Sequence, residues 1–257
     1  MLQLLIEIIL FRYKLLQTCF MRTIVWIFLL LYNFFYLPQC NEQSQMKKFT
    51  TYLILVICMI VTSCSRNEFI PQEGDIVFCV AESSAMSDAI VAATAKQNDL
   101  QYDHVAIFVT VDNNAFVIEA STKKGVVYTE WSEFLDAATK INDNPGIVVM
   151  RPENNIDMDK VIESAKGHIG EPYDWSFRPD NGKMYCSELI YECYINDDGT
   201  HLFNAKPMNF RDEEGNMPLF WIELFEKSGE SIPEGVYGTN PNDMSKEPFL
   251  KEVHRYF

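Results

Sequence analysis

The chain has 257 residues, 48% of them hydrophobic and 13% aromatic, and a formal net charge of −15. That is enough apolar material to bury a substantial core in one domain, which excludes a disordered acidic tail. The charge argues against nucleic acid or an anionic membrane surface as the main partner, because either demands a basic patch; neutral or cationic partners suit it better.

In chain order, an apolar stretch at Thr23–Tyr36 comes first, followed by MKKFTTYLILVICMIVTSCS, Met46 to Ser65. Lys47 and Lys48 form a charged start, an apolar run follows, and Val61-Thr62-Ser63-Cys64 closes it with small residues and a cysteine. This resembles a bacterial lipoprotein signal with its lipobox. The resemblance implies that Cys64 is the lipidated first residue of the mature protein, anchored to a membrane of the cell envelope. An ordinary secretory signal, or a membrane anchor with an incidental cysteine, is the alternative. Because a lipoprotein signal is read at the true N-terminus, translation is expected to start at Met46. Residues 1–45 are then a mis-assigned upstream extension, with a genuine extra membrane segment as the other reading. Residues 46–63 are the signal peptide, 64–73 a tether and 74–257 the folded domain.

Besides Cys64, the mature part holds Cys79, Cys186 and Cys193, which does not suggest a disulfide framework. Cys186 and Cys193 on one helix would lie about 10 Å apart along its axis, too far to bridge. A free thiol in an exported protein therefore raises a question of chemistry.

The domain begins with GDIVFCVA (Gly74–Ala81), a buried strand entered from a Gly-Asp turn, and Ser83–Lys96 follows as a serine-started helix. HVAIFVTV (His104–Val111), NAFVIEAS (Asn114–Ser121) and GVVYTE (Gly125–Glu130) are β-rich runs separated by Asp-Asn-Asn and Thr-Lys-Lys-Gly, the pattern of an antiparallel meander. GIVVMRP adds a strand that Pro152 stops. Asp157–Ile169 places apolar or small residues at 161, 162, 165 and 169, a helix with one buried face. MYCSELIYECY opens another helix near Cys186. The tail from Asp197 is rich in Pro, Gly and Asn, with a short helix expected near Pro218–Lys227. The class is α+β.

A cysteine at a helix start benefits from the partial positive charge there and from a histidine that takes its proton. Cys186 meets the first condition. His104 heads a strong strand, His168 sits near a helix end and His201 in a polar loop; alone, each reads as structural or solvated more readily than catalytic. Glu119 changes the balance. It lies in the apolar run AFVIEAS, on the strand after His104, where a buried carboxylate is costly without a partner. Cysteine, histidine and an orienting carboxylate form the generalised triad. Ordinary strand alternation, with Glu119 facing outward, remains the competing reading. No cofactor or metal is expected, since neither H-E-x-x-H nor C-x-x-C spacing occurs.

Gly74-Asp75-Ile76-Val77-Phe78, SAMSDAIVAAT, Asp103-His104-Val105-Ala106-Ile107, Val117-Ile118-Glu119-Ala120, Tyr173-Asp174 and Tyr185-Cys186-Ser187-Glu188-Leu189 occur in an order that resembles the YiiX/YebB-like branch of the NlpC/P60 superfamily. These are circularly permuted papain-like cysteine hydrolases, and the likeness spans roughly residues 73–195. The order His, Glu, Cys is the permuted one. The resemblance implies an antiparallel sheet with the cysteine helix packed on it, Cys186 as nucleophile, His104 as general base and then acid, and Glu119 as the residue that orients the imidazole. The Cys186 backbone N–H would serve the oxyanion, with Tyr185 or Tyr173 as a further phenolic donor. Ser87 could line the cleft, although helix capping explains serines there as well. A small peptide, muropeptide or acyl-amide substrate is implied, cell-wall peptide first. Hydrolysis or transfer of lipid acyl groups, or a non-catalytic binding module on the same fold, are the alternatives.

Overall fold

Alternating apolar residues build the centre of the domain. In the computed structural model, which describes residues 69–94 and 100–257, β1 (Ile76–Val80), β2 (Tyr102–Val111), β3 (Asn114–Ser121), β4 (Gly125–Glu130), β7 (Ile147–Pro152) and β10 (Leu250–Arg255) form one six-stranded antiparallel sheet. Its order is β10-β7-β1-β2-β3-β4. Asp112 and Asn113 both take positive φ, 50° and 63°, the geometry of a two-residue hairpin turn whose twist matches that of its strands. Small paired segments, β5 (Lys140–Ile141) with β6 (Asn144–Pro145) and β8 (Lys206–Pro207) with β9 (Tyr237–Gly238), lie outside the main sheet.

Both faces of the sheet are covered, so the strands read as apolar runs. Ile76, Phe78, Val105, Ile107, Val109 and Ile118 pack against α3 (Met158–Gly167) and α4 (Cys186–Cys193) through Val161, Ala165, Leu189, Ile190 and Cys193. On the opposite face Val77, Ala106, Phe108, Val117, Ile147 and Val149 meet Trp131 and Phe134 of α2 (Trp131–Ala137). Tyr194, fully buried at the end of α4, donates to Gly74 O at 2.8 Å and ties that helix to the entry of β1. Asp75 beside it is buried and holds Arg151 bidentately at 2.6 and 2.7 Å. Gly74 has φ +77°, and a Cβ there would collide with Met158.

The expected strands are all present. The serine-led helix is α1, Ala85–Thr94, the remainder of its expected span lying outside the described residues. The expected helix at Asp157–Ile169 runs from Met158, with Asp157 as its N-cap accepting from Lys160 N. The expected Pro218–Lys227 helix is α5, Leu219–Ser228. Helix α2, strand β10, α6 (Pro241–Met244) and the short paired strands β5, β6, β8 and β9 were not anticipated. The end of the expected tether lies against the domain: the Phe69 ring stacks on His254 at 4.2 Å, and Phe69 O accepts from Tyr256 Oη at 2.9 Å. Residues 1–68, including the signal and Cys64, lie outside the described residues.

Candidate active site

The site forms where two neighbouring strands part. The β2–β3 ladder runs from Val111 opposite Asn114 only as far as Ile107 opposite Ile118, although β2 extends back to Tyr102 and β3 on to Ser121. Helix α4 packs against both strands. His104 and Glu119 therefore lie beyond the last paired residues, on diverging strands. Period-two alternation puts His104 on the side of Ala106 and Phe108, with its ring 6.1 Å from that of Phe134.

Across the gap, His104 Nε2 and Glu119 Oε2 are 2.8 Å apart. Thr129 Oγ donates to the other carboxylate oxygen at 2.5 Å, so both oxygens of Glu119 are engaged. Cys186 lies close enough to the His104 ring for its hydrogen-bonding capacity and charge to raise the imidazole pKa. With Nε2 committed to Glu119, Nδ1 is the nitrogen left to meet the thiol. Burial alone would lower the imidazole pKa, but the bonds to Cys186 and Glu119, together with their charges, hold it well above the usual 6.5. Burial likewise pushes the Glu119 carboxyl up; the hydrogen bond and charge of His104, then Thr129 and Lys124, outweigh it and leave the pKa lowered.

Cys186 is the first residue of α4, with Tyr185 as N-cap, so its backbone N–H has no intrahelical acceptor. Glu188 reaches back to accept from Tyr185 N at 3.3 Å. Burial pushes the Glu188 carboxyl up to about 8, which keeps it from placing a full negative charge at the helix start near neutral pH. The Pro172–Asp174 loop is paired to the residues before α4: Asp174 N donates to Met184 O at 3.0 Å, and Met184 N to Pro172 O at 3.1 Å. This pairing carries Tyr173 to the site. Burial, followed by the negative charge of Cys186, pushes the Tyr173 phenol well above 10, so it remains a protonated donor. Tyr185 is placed differently, because its hydroxyl accepts from Thr239 N at 3.2 Å.

Two chambers flank the pair. One, of about 190 Å³, is walled by Cys186, by an aromatic group of Phe177, Tyr185, Phe210 and Trp221, and by polar residues such as Lys206, Asn209 and Asp243. The other, of about 480 Å³, holds His104, Glu119 and Thr129 among polar groups such as Glu82, Ser87 and Lys123. Tyr173, Asp103 and Ile90 belong to both. Ser87 is buried, and its Oγ has no hydrogen-bond partner among the described residues, while its N–H donates to Ser84 Oγ at 3.2 Å.

The other histidines have local partners. His168 Nδ1 lies 3.1 Å from Glu171 Oε2, and His201 donates to Tyr191 O at 2.9 Å while stacking on the Tyr191 ring. Thr129 was missed from sequence. Its signal was there, since a buried strand carboxylate needs partners for both oxygens, and Thr129 shares the neighbouring strand's face with Val127, which lies opposite Glu119.

The thiols differ in environment. Burial pushes Cys193 up to about 12, and burial followed by the charges of Asp103 and Glu119 pushes Cys79 well above 9.0. Cys186 alone combines a helix start with the imidazole. Alkylation of the folded protein at pH 7, read by peptide mass spectrometry, should therefore modify Cys186 at least about tenfold faster than either. Equal rates at all three would contradict this geometry.

A six-stranded antiparallel sheet with a cysteine at the start of a packed helix, joined to a histidine and a glutamate on adjacent strands in the order His, Glu, Cys, is the arrangement of a circularly permuted papain-like cysteine hydrolase. The model of the permuted papain-like amidase family, YaeF/YiiX, C92, matches residues 70–254, and the chain belongs to that family. The chain is 28% identical over 202 residues to the uncharacterized protein YiiX of Escherichia coli K12, an alignment covering 77% of this chain and 94% of that protein. It also resembles the crystal structure of the protein described as metalloprotein YiiX from Escherichia coli O157:H7, with a TM-score of 0.59 and 29% identity over 73% of this chain and 98% of that one. Among the described residues of the present chain, no group of three or more His, Cys, Asp or Glu side chains is arranged to hold a metal ion.

Proposed function

We propose that this family member hydrolyses an amide through a thioacyl enzyme, with Cys186 as nucleophile, His104 as general base and acid, and Glu119 orienting and charging the imidazole. The observation that carries the reading is the hydrogen-bonded run His104–Glu119–Thr129, with Cys186 near enough to the imidazole to raise its pKa. The Cys186 thiolate attacks the carbonyl carbon, and the oxyanion is met by the Cys186 N–H, with Tyr173 favoured over Tyr185 as the phenolic donor. His104 then protonates the departing amine. Water activated by His104 attacks the thioester, and the thiolate leaves with the acid product.

His104 delivers the proton to the leaving group, so the amine side belongs in the polar chamber and the acyl side in the aromatic one. Cell-wall peptide amides remain the first substrate class, and a cationic diamino-acid end would suit the acidic chain. The aromatic chamber favours a second reading, in which an acyl-lipid group is cleaved or transferred. Incubating the purified protein with muropeptides and with acyl lipids, and identifying the products by mass spectrometry, separates the two. Turnover of neither by wild type, with Cys186 intact, would favour a binding module.

The site would act at the envelope through a lipid on Cys64, a proposal supported by the signal-like sequence at Met46–Cys64. A chain begun at Met46 should take up a fatty-acid analogue and partition with membranes. Label and partition unchanged in Cys64→Ala would remove the anchor from the proposal.

A further inference from the structure

The tail read from sequence as loop and short helix sends one segment back to both members of the Cys–His pair. Asn242, on α6, is 1% exposed. Its Oδ1 accepts from Tyr102 N at 2.8 Å, and its Nδ2 donates to Tyr102 O at 2.8 Å and to Thr94 Oγ at 2.9 Å. One amide thus takes both backbone groups of a single residue, as a neighbouring strand would. Tyr102 stands two residues before His104, at the place where the β1–β2 register shifts between Cys79 and Val80. The ladder is irregular there, so it holds the backbone leading into His104 less firmly than a regular pairing would.

Three residues before Asn242, Thr239 N–H donates to the hydroxyl of Tyr185, the residue that precedes Cys186. Gly238 makes that approach feasible, because a Cβ there would lie 2.8 Å from Tyr185 Oη and 2.5 Å from Met208 Sδ. The two contacts fasten a single five-residue stretch to the backbone beside the imidazole and to the N-cap beside the thiol. Asn240 stiffens the stretch by accepting from Asp243 N at 2.8 Å.

We propose that Gly238–Asn242 is a brace that fixes the separation of Cys186 and His104, with Asn242 as its positioning residue. This rests on the Cys–His reading above. A displacement of about 1 Å at a reacting pair costs on the order of 10²-fold in rate, and Asn242, which lines neither chamber, acts on the chemistry through that separation.

The test is the pH dependence of Cys186 alkylation by iodoacetamide in the full chain, which needs no substrate. His104→Ala should lower the ratio of the Cys186 rates at pH 6 and pH 9, because it removes the cationic ring beside the sulfur. Asn242→Ala should lower the same ratio about tenfold while circular dichroism stays native. If Asn242→Ala does not fold, Tyr185→Phe, which keeps the ring and removes only the acceptor for Thr239, should move the ratio in the same direction. A lower melting temperature with an unchanged ratio, in whichever variant folds, overturns the brace while the His104→Ala effect keeps the Cys–His reading. A ratio unmoved by His104→Ala overturns that reading, and the brace with it.

Discussion

Cys186→Ala should lower hydrolysis of any amide the protein turns over by at least about 10³-fold, equivalent to about 4 kcal/mol of transition-state stabilisation. In the proposed mechanism the covalent pathway begins at that sulfur, and neither other thiol among the described residues replaces it, since Cys193 is buried in the core and Cys79 is held protonated by burial and by Asp103 and Glu119. Cys186→Ser should do nearly as badly, because a hydroxyl is a far weaker nucleophile without a base tuned to it. His104→Ala should match both, and the double variant should be no worse than either single one, because members of a catalytic unit fail together. His168→Ala and His201→Ala should keep most activity, as Glu171 and the Tyr191 carbonyl are their local partners. Steady-state kinetics with melting curves for each variant make the comparison. An active His104→Ala beside a folded but inactive His168→Ala would break the assignment.

The parts of this site that could be read from sequence were those whose meaning is local. A cysteine opening an amphipathic helix, a histidine at a strand start and a carboxylate inside an apolar strand each carry their own physical signal. The order of the three carried the permuted topology only through the family resemblance. Thr129 was readable in principle, through the facing rule for adjacent strands. Asn242 was not: its partner Tyr102 is 140 residues away, and the amide lies in a Pro-, Gly- and Asn-rich tail that local pattern assigns to turns. Strand β10 escaped for a related reason. LKEVHR is charged and exposed along much of its length, as suits a sheet edge, and only its pairing with β7 makes it a strand. Helix α2 follows β4 without a break, and Glu130 at its N-cap makes no side-chain capping bond, so no start signal separates the two.

Glu119→Gln divides the work of the carboxylate into orientation and charge. The amide oxygen can still accept from His104 Nε2–H, and its NH₂ can donate to Thr129 Oγ, which accepts as readily as it donates. The ring therefore stays in place and only the charge is lost. In the wild type, burial works against the imidazolium, and the bonds and charges of Cys186 and Glu119 reverse that effect. A histidine whose folded pKa is raised contributes stability that is complete below the unfolded value of about 6.5 and is lost as pH rises through the folded one. The depressed Glu119 contributes above its unfolded value of about 4.3, and loses that contribution as pH falls through its folded value. The pair is thus at full strength between those two unfolded values, and its basic limit is set by His104. Without the Glu119 charge the His104 pKa drops, so the basic limb of the kcat/KM profile should move to lower pH and the melting temperature should fall most on the acid side of that limb. Activity should fall about 10- to 100-fold at neutral pH, with a smaller deficit at pH 6 than at pH 8. Thr129→Val, which removes one bond to the carboxylate and leaves its charge, should leave the limb close to its wild-type position. A limb that stays in place in Glu119→Gln while activity drops would mean that the carboxylate acts by position alone, and the electrostatic role assigned to it here would be wrong.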